Sequence, residues 1–451
     1  MQKIIVRNFG PIVDAEIEIK GLTILIGEQA SGKSTLAKLI YFFKTIKKDI
    51  YNLARYESVS FDDPNNDLEL INKVIENFKT KFKKYFGAVS NLPNNYFIEF
   101  RFSETNYIRI APITGNRLNI AFENAIFYQI IRSLRNNTPA ISRLNQTNDF
   151  DGLRFYENRL NEDLDRLFSD NFEPLFVPAG RNITVSYPQE FKDYFLSGLS
   201  SSGASNTSID IELMRNFLIR VAKIQDRFNN KNFRSVANEQ ISVDKHYTDR
   251  INQAIGLVPM VLKGNYSNVD GQIEGIKPNG ASRVIPIFQS STGQQEALRI
   301  LQDIFLCLVD NKPVFRVIEE PEAHLFPIAQ NQIMQMVSLL SGSGEHQIVI
   351  TTHSPYVLTA CNNLLYPQRI MNRIQGSNGS LSNQLNEIMP SPFWLNPTKF
   401  SAYTLRNGVC EPIYYENEGL IRENYLDEVF TQMGIQYDAM YNIYADALTQ
   451  S

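Results

Sequence analysis

The chain has 451 residues, 43% of them hydrophobic, and a formal net charge of −4. Its length suggests two or three domains, or one domain with large insertions, and its apolar content excludes a disordered chain. The mildly acidic balance gives no global reason to expect nucleic acid, and Cys307, Cys361 and Cys410 have neither zinc-site nor disulfide spacing.

The N-terminus, Met1-Gln2-Lys3-Ile4-Ile5-Val6-Arg7, has no signal-peptide apolar core, and no apolar run approaches the ~18 residues of a membrane span. The expectation is a cytoplasmic protein without a membrane segment, its cysteines small, buried and reduced. Ile4–Val6 and Ile12–Ile19 read as paired strands around the turn Asn8-Phe9-Gly10-Pro11. Phe9 at that corner either packs into the core or, as such a turn does in some ATPases, lies beside the base of a nucleotide bound at the loop that follows. A third apolar run, Leu22 to Ile26, leads into Gly27-Glu28-Gln29-Ala30-Ser31-Gly32-Lys33-Ser34-Thr35 and then a helical pattern through Leu36, Leu39 and Ile40. Strand, glycine-bounded turn and helix are the context that a phosphate-binding loop requires. Gly27 and Gly32 let the backbone turn tightly, so that N–H groups from Ala30 to Thr35 meet phosphate oxygens within the field of the helix N-terminus. Lys33 is positioned to reach the β- and γ-phosphates and the Ser34 hydroxyl to bind Mg²⁺, which implies a nucleoside triphosphate ligand.

Composition then changes. Residues 46–172 read as a mixed helical and hairpin insertion. It comprises an amphipathic helix over 68–86, a hairpin at 96–101 and 107–110, and helical stretches at 117–135 and 151–168. Lys79, Lys81, Lys83 and Lys84 at the end of the first helix form either a nucleic-acid or partner face or a solvated one. A short core strand follows at 173–185, where Phe176-Val177-Pro178-Ala179-Gly180-Arg181 ends in a cation that could meet phosphate, a partner subunit or solvent. Residues 186–270 read as a second, helical insertion with a polar loop at Ser200–Asn206, lacking the sustained heptads of a coiled coil.

The last part, 271–451, carries three further motifs. Ser290-Ser291-Thr292-Gly293-Gln294 opens a helix, and Ser291, Gly293 and Gln294 form either a second phosphate-binding surface or an ordinary helix cap. Val314–Ile318 is a buried strand ending in Glu319-Glu320-Pro321-Glu322. Glu319 can complete the Mg²⁺ shell opposite Ser34, and Glu320 can orient or deprotonate an attacking water. Gln347–Thr352 is another buried strand, ending in His353-Ser354-Pro355, where His353 can sense the γ-phosphate.

In this order the four motifs resemble the ABC-class ATPases, in particular the RecF, SMC and OLD-type heads. Within that class the chain is similar to the AAA family ATPases of bacterial anti-phage defence systems such as PARIS or Septu. The resemblance covers 1–45, 174–182 and 280–365 and leaves both insertions unmatched. It implies an α/β ABC-type P-loop ATPase head with mainly helical insertions. It also implies ATP and Mg²⁺ as ligands and a homodimer, or a higher oligomer, whose composite sites close Ser291, Gly293 and Gln294 of one chain over the Gly27–Thr35 loop of the other. Glu320 would then catalyse hydrolysis and His353 report the γ-phosphate. OLD nucleases add a Toprim domain after the ATPase. Here the residues after His353 are few for a further domain and read as a hairpin at 403–415 plus helices at 426–433 and 437–448 that complete the head. A nuclease effector is therefore expected as a separate subunit. The expected roles are a defence sensor or scaffold, a DNA-repair clamp with nucleic acid as partner, or a nucleotide-dependent assembly protein.

Overall fold

The computed structural model describes residues 2–56, 67–87, 93, 95–113, 117–122, 124–147, 149–186, 209–239, 245–269, 273–374, 379–422 and 434–442. The polar run Ser200–Asn206 and the helix expected at 426–433 lie outside them; of the last expected helix, 437–442 is described and helical.

One sheet organises the described chain. Its strands are β1 (Gln2–Phe9), β2 (Ile12–Ile19), β3 (Leu22–Gly27), β4 (Phe97–Arg101), β5 (Tyr107–Ile113), β6 (Arg117–Phe122) and β7 (Glu173–Val177). Two short strands, β8 (Gly264–Val269) and β9 (Ile273–Pro278), form a small separate sheet with β10 (Ile285–Pro286). The main sheet resumes with β11 (Val314–Glu319), β12 (Gln347–Thr352), β13 (Phe400–Arg406) and β14 (Val409–Pro412), in the order β6-β5-β4-β1-β2-β14-β13-β3-β12-β11-β7. Strands β13, β3, β12, β11 and β7 run parallel; β1, β2, β4, β5 and β6 pair antiparallel.

The parallel half is buried on both faces, as the unbroken apolar run of β3 requires. Successive side chains alternate between two cores: Ile24 and Ile26 face one, Leu25 the other, and Ile348 and Ile350 oppose Val349 in the same way. Helix α1 (Lys33–Lys44) covers the second face together with α2 (Ile46–Tyr56) and α3 (Asp67–Phe86). On that face too lie α4 (Asn124–Thr147) and α5 (Phe150–Phe168). Part of α6 (Ile209–Arg227) and most of the buried apolar residues of α7 (Lys245–Leu262), α8 (Thr292–Asp310), α9 (Pro327–Ser341) and α10 (Pro355–Ile374) form the first core. This is the α/β ABC-type P-loop head that the motifs imply.

Two readings change. Residues 117–122, expected as the start of a helix, form the edge strand β6, because Arg117–Phe122 alternates with a period of two and pairs with β5; the helix begins at Asn124. The hairpin of the first insertion is continuous with β1 through β4, so these strands lengthen the ATPase sheet. The C-terminal hairpin is likewise built in: β13 lies between β14 and β3. Phe9 packs in the core against Phe82, Phe86 and Tyr96. Among the described residues no helix is long and apolar enough to cross a membrane.

Candidate nucleotide site

Parallel strands present their carboxyl ends on one edge, where α/β sheets place ligands. Here β3, β11 and β12 deliver Lys33, Glu319, Glu320 and His353 to that edge. Gly27 ends β3 beneath β13, and a Cβ there would strike the Leu405 carbonyl oxygen. Gly32 has φ +105°, a left-handed conformation that costs glycine little, and Ala30 also has positive φ, +59°. The loop thereby turns back on itself, and Lys33 starts α1.

Lys33 is buried at 5% exposure. Its Nζ donates to the carbonyls of Gly27 (2.8 Å) and Glu28 (2.7 Å) and lies 3.4 Å from both Ser31 Oγ and His353 Nδ1. Burial lowers its pKa, a shift opposed by Glu320, Glu322, Glu28 and Glu319. Ser34 is exposed at the helix start and Thr35 is half-buried.

His353 Nε2 lies 3.2 Å from Glu320 Oε1. A lysine ammonium can only donate and a carboxylate can only accept. The neutral tautomer with its proton on Nε2 satisfies both neighbours, accepting from Lys33 and donating to Glu320. The lysine of the glycine-bounded loop, a strand-end histidine and the second acid thus form one chain of contacts.

The acidic turn is held in an unusual shape. Glu320 has φ +43°, and its N–H donates to the Thr351 carbonyl at 2.8 Å, stitching the end of β11 to that of β12. Non-glycine residues in this region cost energy and persist only where the surroundings enforce them. Arg181 is the main enforcer. It is completely buried and donates to the carbonyls of Glu319 (2.9 Å), Glu320 (3.0 Å), Glu296 (3.2 Å) and Pro178 (3.3 Å), and it lies 3.3 Å from the Glu296 carboxylate. The sequence offered phosphate, a partner or solvent for this cation; its burial excludes solvent, and its donors go to the carbonyls around the turn.

Glu322 is a further site residue that the motif reading did not single out. Its Oε1 accepts from Thr352 Oγ1 and from the N–H groups of His353 (2.9 Å) and Ser354 (3.3 Å), so one carboxylate shapes the loop that carries His353. Its place in Glu-Glu-Pro-Glu, opposite Thr-His-Ser, was the available signal.

Glu319 is 8% exposed; its Oε2 accepts from Ala179 N–H at 3.3 Å, while Oε1 is buried without a partner among the described residues. A buried carboxylate oxygen left open is costly, and a cation is the group that would satisfy it. The Ser34 hydroxyl and Glu319 therefore fit a hard divalent ion such as Mg²⁺, which takes oxygen ligands.

Ser291, Gly293 and Gln294 take their contacts elsewhere. Ser291 caps α8 in a reciprocal box with Gln294: the Ser291 N–H donates to Gln294 Oε1 at 3.1 Å, and Gln294 N–H donates to Ser291 Oγ at 3.4 Å. Gln294 Nε2 also donates to the Leu262 carbonyl at 2.7 Å. A Cβ on Gly293 would strike the His324 carbonyl, so this glycine admits the loop that follows the acidic turn. Among the described residues none of the three is hydrogen-bonded to Lys33, Glu320 or His353.

Among solved structures, the chain is similar to an SMC head bound to the C-winged helix domain of ScpA, at 12% identity and TM-score 0.41, over 91% of this chain and 96% of that one. The SMC head domain from Thermotoga maritima is similar at 13% identity and TM-score 0.35, over 91% and 97%. An Smc head with an extended coiled coil, bound to the C-terminal domain of ScpA derived from Pyrococcus furiosus, is similar at 12% identity and TM-score 0.38, over 96% and 100%. No curated protein matches the chain. The model of the AAA ATPase domain family AAA_15 matches residues 1–358, well over half of the sequence, and the protein belongs to that family.

Proposed function

We propose that the chain binds and hydrolyses ATP at the edge formed by β3, β11 and β12, and that the hydrolytic cycle controls a separate effector protein in an anti-phage defence system. The observation that carries the catalytic reading is the run of contacts from Lys33 through His353 to Glu320, beside a buried Glu319 oxygen that has no partner. Backbone N–H groups of the 27–35 loop and Lys33 bind the phosphates. Ser34 and Glu319 would hold Mg²⁺, which would supply charge neutralisation at the phosphates. Glu320, 38% exposed at its side chain and 3.2 Å from His353 Nε2, can take the proton of the attacking water. His353 keeps that carboxylate oriented and moves when Lys33 turns from the Gly27 and Glu28 carbonyls towards phosphate.

Closure of Ser291, Gly293 and Gln294 of one copy over the 27–35 loop of another makes the protein a homodimer in this reading. Phe288 and Phe326, in the segments that flank Ser291 and His324, are 52% and 75% exposed, an apolar rim around the cap of α8. The test is the size and DNA affinity of Glu320→Gln with and without ATP·Mg²⁺. An ATP-dependent dimer without DNA affinity supports the scaffold; salt-sensitive DNA binding that tightens with ATP replaces it with a repair-type clamp. A monomer under both conditions removes the composite site.

A further inference from the structure

The opposite end of the parallel strands carries a cavity of about 300 Å³, walled by the last turn of α1, the helices α2, α3 and α6, and the first residues of β7. Six cationic residues line it against three acids. The acids are largely spoken for. Asp49 takes Lys81 at 2.5 Å; Glu212 takes Lys84 at 2.9 Å and the Tyr85 hydroxyl at 2.7 Å. Behind the wall, the single carboxylate of Asp303 holds both Arg220 (2.6 Å) and Arg316 (2.9 Å), two guanidiniums on one acid. Lys48, Arg215 and Lys223 line the same cavity and have no ion-pair or hydrogen-bond partner among the described residues. Among the described lining residues, Asp49 acts on Lys48 through space and the exposed carboxylate of Glu173 stands without an ion pair.

Spacing explains the concentration of charge. Arg215, Ile219 and Lys223 recur at four-residue steps on α6, and Glu212, Asn216 and Arg220 flank them, so one helical face presents this row to the cavity. An excess of cations over acids in a concavity between protein walls focuses a positive field and raises the local concentration of anions. Guanidinium groups match phosphate oxygens in pairs, and lysines add point charges. The volume is at the lower end of small-ligand sites.

The geometry points to a second ligand site: this cavity takes a small phosphorylated molecule, separately from the ATP site. The site stands at the far end of the elements that carry the catalytic residues. Tyr41 in its wall is on the helix begun by Lys33, and Arg316 is on the strand that ends at Glu319.

Lysine acetylation footprinting of the full chain, with inorganic pyrophosphate as the probe, tests this without reference to the nucleotide loop. Pyrophosphate should slow the acetylation of Lys48 and Lys223 and leave the exposed Lys277 and Lys312 unchanged. The apparent affinity from that protection should fall roughly tenfold in Arg215→Ala, for the loss of one charge-assisted contact. Arg215 has no partner to orphan, so the fold should persist. Glu173→Gln removes the opposing carboxylate and should tighten binding by up to about fivefold, a gain that misfolding cannot imitate. Unchanged labelling of Lys48 and Lys223, or protection equal in wild type and Arg215→Ala, would overturn the assignment.

Discussion

Two histidines bracket one strand. His346 immediately precedes β12 and His353 immediately follows it, and they stand at opposite ends of the same sheet. His353 is part-exposed among acids and lies between Lys33 and Glu320. His346 is buried at 5% exposure; its Nδ1 accepts from the Val314 N–H at 3.3 Å, and Nε2 lies 3.1 Å from Ser343 Oγ. Burial, with Arg316 nearby, pulls the His346 pKa down to about 4. Identical side chains thus do opposite work: one ties a cation to an acid at the carboxyl edge of the sheet, the other accepts a structural hydrogen bond at a cationic end. The sheet is polarised, with carboxylates gathered at the carboxyl ends of β11 and β12 and cations at the amino ends of β7 and β11.

The largest effect that would break this picture is at the acidic end. Arg181→Met strips the donors from the Glu319 and Glu320 carbonyls and leaves Glu296 buried without its cation. It should cost about 3 to 5 kcal/mol, the range for orphaning a buried charge, and abolish turnover with it. Urea unfolding of the variant measures the first; a loss below 1 kcal/mol would show that the acidic turn keeps its shape by other means.

At the cationic end, His346 binds fewer protons folded than unfolded between pH 6.5 and about 4. Stability is therefore intact above pH 6.5 and falls as pH drops through that window, by on the order of 3 kcal/mol. His346→Gln retains an acceptor for Val314 and should flatten this part of the pH–stability curve. Equal slopes in wild type and variant would dissolve the contrast between the two histidines. The smallest expected effect is Ser291→Ala, about 1 kcal/mol of stability for one helix cap, read as a small drop in melting temperature. A neutral result would show that the Gln294 side chain holds the end of α8 alone.

What was legible in the sequence follows the same division. The phosphate loop, the acidic strand end and the histidine turn are each contiguous runs whose chemistry depends on neighbours in the chain. Their residues were therefore nameable before the sheet that unites Lys33, Glu320 and His353. Arg181 was visible as a cation after a strand, but its burial depends on backbone carbonyls from β11 and α8, more than a hundred positions away, and no local pattern reports that. The cavity at the far end was illegible for the same reason. Lys48, Lys81, Arg215 and Arg316 belong to four separate elements, and only packing brings them to one wall. Even the basic end of α3, readable as a charged face, is mostly paired: Lys79 with Glu76, Lys81 with Asp49, Lys84 with Glu212. The edge strand β6 was missed because six residues preceding a long helix carry too short a period to separate the two.

The measurement that bears most directly on the ATPase assignment is phosphate release by wild type and Glu320→Gln, alongside their thermal protection by ATP·Mg²⁺. The account predicts that both proteins gain roughly 2.7 kcal/mol of stability at a hundredfold excess of ATP over its Kd. Release by the variant should fall at least about a hundredfold, as expected for a lost general base. Undiminished release by Glu320→Gln, or a wild-type protein that ATP does not protect, would contradict it.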